Sequence, residues 1–170
     1  MRCLLVLACL LLLAMTQDKP AYLLYDQKGK RTDYEKLLKT AAGADVVLFG
    51  ELHNNPICHW LELQLTKDLF AERKQDLVIG AEMFETDNQA AYDDYVARRS
   101  TDKQLAEKAR LWPNFGTDYK PVLDFARQHQ TPIVATNVPR RYASLVARQG
   151  LSALDSLPAA DKAFVAPLPI

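Results

Sequence analysis

Glu51 and His53 stand just behind Gly50, and five residues separate His53 from His59, so one carboxylate and two imidazoles fall within a short stretch. A carboxylate beside an imidazole can move protons or hold a metal ion. The His53–His59 interval is not the one-turn spacing of His-Glu-x-x-His, which stacks two imidazoles on one helix face. With His53 in a loop and His59 in the first turn of a helix, the two can still converge on one cation; the competing reading is a hydrogen-bonded structural pair. Glu82 follows a second apolar run, and Glu51 and Glu82 together with His53 could supply acid-base chemistry if burial raises one carboxyl pKa. Against this, both acids could cap helices or pair with Arg140 or Arg141. Cys58 lacks any partner set for catalysis or haem attachment and reads as packing.

The elements that must position these groups follow from the apolar pattern. Residues 44–50 have no polar alternation and read as a strand covered on both faces, as in parallel sheets with crossover helices. Asn55-Pro56 marks the start of a helix with Ile57, Leu61, Leu65 and Leu69 along one face. Residues 77–81 form a second strand ending at Glu82, and residues 132–137 a third ending at Asn137. Between them, capping patterns at Thr86 and Thr101 start helices, and another runs over 118–128. Residues 139–149 are helical, with Gly150 as the cap, and 151–163 continue as a further helical segment. Before the first strand, 21–30 reads as a small hairpin, and Thr32-Asp33-Tyr34-Glu35 opens a short helix ending at Gly43.

This alternation predicts an α/β fold, a three-layer α/β/α arrangement with a mainly parallel sheet. Ligands of such sheets sit beyond the carboxyl ends of the strands, where Glu51, His53, Glu82 and Asn137 are expected to meet. Trp112, Phe115 and Tyr119, in and just after a loop marked by Pro113 and Gly116, either close the core or form an apolar wall for a flat ligand. The apolar proline-containing end, 164–170, after three strands, suggests an incomplete domain.

The chain has 170 residues, a quarter of them charged, and a formal net charge of zero, which fits one domain and argues against nucleic acid as a partner. Residues 3–15 are almost purely apolar behind Arg2, too short for a membrane span and suited to an export signal. The reading is a signal peptide over 1–16 and a domain over 17–170. Val6-Leu7-Ala8-Cys9 resembles a lipoprotein box, making a lipid anchor at Cys9 the alternative. Cleavage after Thr16 leaves Cys58 alone, without a disulfide partner in the chain.

Gly50-Glu51-Leu52-His53-Asn54-Asn55-Pro56 with His59, then Gly80-Ala81-Glu82-Met83-Phe84, then Ala135-Thr136-Asn137-Val138-Pro139-Arg140, resembles the ChaN-type haem-binding uptake proteins of the Tiki superfamily. The resemblance implies an exported protein of the bacterial envelope, periplasmic or outer-membrane-associated and often lipidated. It also implies haem as cofactor and iron uptake as the setting, with an outer-membrane haem or iron transport system, or a second copy of the chain, as partners. His53, His59 and Tyr119 are then candidates for the iron, with Trp112, Phe115, Asn137 and Arg140 as further haem contacts. The wider superfamily contains metalloproteases and erythromycin esterases. It therefore keeps open a hydrolase in which Glu51 and Glu82 act as acid or base and His53 and His59 bind a divalent metal ion.

Overall fold

The computed structural model describes residues 19–167, so the expected export signal, its expected cleavage point and Cys9 lie outside the described residues. The chain divides into two compact units, 1–37 and 38–170.

In the first unit, β1 (Leu24–Tyr25) and β2 (Arg31–Thr32) pair antiparallel. Asp26 Oδ1 accepts from the amides of Lys28 and Lys30, and Gly29 supplies the positive φ that closes the turn. The expected hairpin is therefore present. Helix α1 (Tyr34–Ala42) follows, and its cap is Asp33, whose Oδ1 accepts from the Lys36 amide.

In the second unit, α2 (Pro56–Arg73) begins where Asn55 Oδ1 accepts from the amides of Ile57 and Cys58, both at 3.0 Å, with Pro56 in the first turn. It buries His59, Leu65 and Leu69. Strand β3 (Ile79–Glu85) pairs in parallel with β4 (Ile133–Asn137). The crossover between them carries α3 (Gln89–Val96), α4 (Asp102–Lys108) with a full capping box at Thr101 and Gln104, and α5 (Lys120–His129). This is the expected α/β class. Helices α6 (Arg140–Gln149) and α7 (Ala159–Lys162) complete the described part. Among the described residues no helix is long and apolar enough to cross a membrane.

One face of the sheet, with Ala81, Phe84, Ile133 and Ala135, packs on Tyr92, Tyr95, Leu105, Leu123 and Ala126 of the three crossover helices. Gln89 completes the outer edge of β4, its Nε2 donating to the Ile133 carbonyl at 2.8 Å and its Oε1 accepting from the Ala135 amide at 2.7 Å. A side-chain amide thus stands in for a neighbouring strand. On the opposite face Val78, Gly80, Glu82, Val134 and Thr136 are exposed.

Two expectations change here. Residues 44–50 are not a strand: they form coil, with Val46 74% and Leu48 91% exposed. A strand needs a hydrogen-bonded neighbour, and a cavity of about 820 Å³ lies between this segment, α2 and β3. The second strand also runs past Glu82. Between the pairs Ala81–Ala135 and Glu85–Asn137, β3 advances four residues and β4 two, a bulge that turns Phe84 and Glu85 both inward. The acid at the strand end is Glu85, while Glu82 sits mid-strand and exposed.

Candidate functional site

His59 reaches the interior because Asn55 and Pro56 start α2 one turn earlier and aim its first buried position inward. It is 4% exposed. Its Nε2 lies 3.1 Å from the His53 carbonyl oxygen. A carbonyl only accepts, so Nε2 carries a proton and donates it there, and Nδ1 faces the acids. That Nδ1 is 3.2 Å from Glu51 Oε2 and 3.7 Å from Glu62 Oε2. Glu62 is one helical turn beyond His59 and therefore on the same face.

Glu51 is held from its other oxygen. Oε1 accepts from Tyr119 Oη at 2.9 Å and lies 2.5 Å from His53 Nδ1. Tyr119 is fully buried on the turn leading into α5 (Phe115–Tyr119, a π-type turn). Its phenol is pushed well above the ordinary range by burial and by the hydrogen bond to Glu51, so it stays protonated. Ring contacts link the aromatic residues: Trp112 meets His53 edge-on at 5.1 Å and Tyr119 at 5.5 Å, and Tyr119 meets His59 at 4.9 Å. Asn114 ties the loop down, Nδ2 donating to the His53 carbonyl and to Asp118 Oδ2, both at 2.8 Å.

Three buried atoms in this cluster make no hydrogen bond: Glu51 Oε2, His59 Nδ1 and Glu62 Oε2. All three lie within 4.8 Å of one another. Burial raises the Glu62 pKa, and the neighbouring Glu51 carboxylate raises it further. Glu51 and Glu62 also line the 820 Å³ cavity, giving the cluster an opening beside the 46–49 segment.

Of the residues expected from sequence, the fold brings Glu51, His53, His59, Trp112 and Tyr119 together. Glu82 lines the same cavity as Glu51, and no bond among the described residues joins the two. Phe115 packs toward the core, its ring 6.3 Å from Phe84. Asn137 stands opposite Glu85 in the sheet register, and the Arg140 amide donates to Glu85 Oε2 at 2.9 Å. No hydrogen bond, ion pair or ring contact among the described residues joins Asn137 or Arg140 to His53, Trp112 or Tyr119. Cys58 remains half-buried and free, its Sγ 3.9 Å from the Gly50 carbonyl. Glu62 was not among the candidates read from the sequence. Its interval of three from His59 was the signal that would have found it.

No curated protein and no solved structure matches the chain. A family match does cover residues 37–170, almost the same span as the second compact unit. The family is described as haem-binding uptake, Tiki superfamily, ChaN, and with most of its length matched this chain belongs to it.

Proposed function

We propose that the protein binds haem with His53 as the ligand to iron, as an exported component of haem or iron uptake in the bacterial envelope. The supporting observation is the 2.5 Å contact between His53 Nδ1 and Glu51 Oε1. A carboxylate on Nδ1 holds the proton there, orients the ring and leaves the Nε2 lone pair for a metal, while making that nitrogen more basic. The His53 side chain is 51% exposed, so a large planar ligand can approach it, and the edge of Trp112 lies against the ring. Haem, when bound, supplies the iron. The chain supplies the imidazole, the carboxylate that orients it and the aromatic support.

Tyr119 fits this role less well. Its oxygen is buried and already donates to Glu51, and ligation would require loss of a proton that the site retains. The export reading rests on the apolar run 3–15 behind Arg2.

Hemin titrated into the purified full chain, followed by the Soret band, tests the proposal. The wild type and Tyr119→Phe should both shift the band, and His53→Ala should lose the shift or need far more hemin. A wild type that leaves the band unmoved would sink haem binding. Loss in Tyr119→Phe with retention in His53→Ala would transfer the iron to the phenol.

A further inference from the structure

Buried carboxylates and imidazoles normally find proton donors. Glu51 Oε2, His59 Nδ1 and Glu62 Oε2 find none, and they face one another. We propose that these three atoms hold a divalent first-row transition-metal ion, at a site separate from any haem iron on His53.

The geometry supplies the first argument. Two ligand atoms each about 2.1 Å from a shared ion, at tetrahedral or octahedral angles, lie roughly 3.0–3.4 Å apart. Nδ1 stands 3.2 Å from Glu51 Oε2 and 3.7 Å from Glu62 Oε2, so a small movement of the longer glutamate closes the set. Nδ1 also makes no hydrogen bond to Glu51 Oε2 despite that approach. A ring nitrogen this close to two carboxylate oxygens and hydrogen-bonded to neither suits an ion shared by all three.

The surroundings supply the second. Two of the three ligands, His59 and Glu51, are oriented from the far side. His59 Nε2 meets the His53 carbonyl at 3.1 Å, with Asp118 Oδ2 at 3.7 Å. Glu51 Oε1 is held by Tyr119 and His53. Such outer partners select the tautomer and rotamer that a metal needs. Charge supplies the third argument: Glu51 and Glu62 bring two carboxyl groups to one imidazole, and among the described residues neither is paired with an arginine or lysine. A divalent cation held between them offsets both carboxylates at once. Mixed nitrogen and carboxylate donors suit zinc, manganese, iron or cobalt better than calcium or magnesium, and the cavity beside the glutamates leaves room for water on the remaining positions.

Cobalt(II) is a suitable probe because its visible absorption reports coordination. Metal-stripped full chain is titrated with Co²⁺ alone, without haem, and competed with Zn²⁺. One equivalent should bind to the wild type and to Glu82→Gln, which lines the cavity without belonging to the set. Glu62→Gln and His59→Ala should weaken binding at least about 100-fold, the upper end of what losing an outer partner costs. Circular dichroism checks folding, and Glu62→Gln is isosteric, so it reads the site if His59→Ala fails to fold. A wild type that binds no Co²⁺, or a folded Glu62→Gln that binds it like the wild type, overturns the proposal. Hemin titration of Glu62→Gln separates the two sites: an unchanged Soret shift with cobalt lost shows that metal and haem bind independently. A wild type that binds cobalt but no haem fails the haem reading alone.

Discussion

Glu85 and Glu51 are both largely buried glutamates, yet their surroundings differ in kind. Glu85 Oε2 accepts from Arg110 Nε at 2.7 Å and from the Arg140 amide at 2.9 Å. Neighbouring Asp87 pairs with both Arg110 and Arg141. Each carboxylate there has a guanidinium, and the strand end, α6 and the loop before Trp112 are tied together by the result. Among the described residues no arginine or lysine pairs with Glu51: its partners are Tyr119 and two imidazoles, Glu62 adds a second acid, and three polar atoms remain unmatched. A complete polar network rigidifies a fold, whereas an incomplete one destabilises it unless something else binds.

The largest expected effect comes from breaking the complete centre. Arg110→Met takes the guanidinium from Glu85 and one of two from Asp87 and should cost about 2 kcal/mol in urea denaturation, less than for a fully buried pair because the guanidinium is half exposed and the Arg140 amide and Arg141 remain. A loss under about 0.5 kcal/mol would mean that water already satisfies Glu85. The incomplete centre should respond in the opposite direction: in metal-free protein Glu62→Gln removes repulsion with Glu51 and should leave stability unchanged or raise it by up to about 1 kcal/mol. A marked loss there would show that Glu62 already has a partner, and would erase the distinction.

The buried Tyr95 hydroxyl gives a control that depends on pH. It donates to Asp102 and Asp124 and receives from Lys120, and burial followed by the two aspartate hydrogen bonds pushes its pKa up to about 12. The folded state holds this proton more tightly than the unfolded chain, whose value is near 10. Its contribution is therefore complete below pH 10 and disappears as pH rises toward 12. Tyr95→Phe should flatten stability across that window, and an equally steep decline in the variant would place its origin elsewhere. The smallest effect belongs to Leu48→Lys. At 91% exposure it should change stability by less than about 0.5 kcal/mol, and a loss of 2 kcal/mol or more would mean that residues 44–50 are buried as a strand in solution.

Much of the fold was legible because the signals were local. Asn55-Pro56, the Thr101–Gln104 box and the turn at Asp26 to Lys30 act through atoms a few residues apart, and each appears as read. Two apolar runs became β3 and β4 for the same reason. The run at 44–50 has equal strand character, but a strand is completed by a partner whose position no local pattern encodes. The bulge that exchanges Glu82 for Glu85 at the strand end likewise arises between two strands.

By itself, the sequence determined which groups are present near Gly50, that Asn55 and Pro56 start a helix there, and that the motif order is that of the haem-binding uptake family. Only the tertiary structure decided how they are used. It set Tyr119 against Glu51 across 68 positions of chain, turned Glu62 toward His59 and left Glu51 Oε2, His59 Nδ1 and Glu62 Oε2 facing one another. Side-chain chemistry is a property of a residue, but satisfaction of a buried polar atom is a property of its neighbours, and those are chosen by packing.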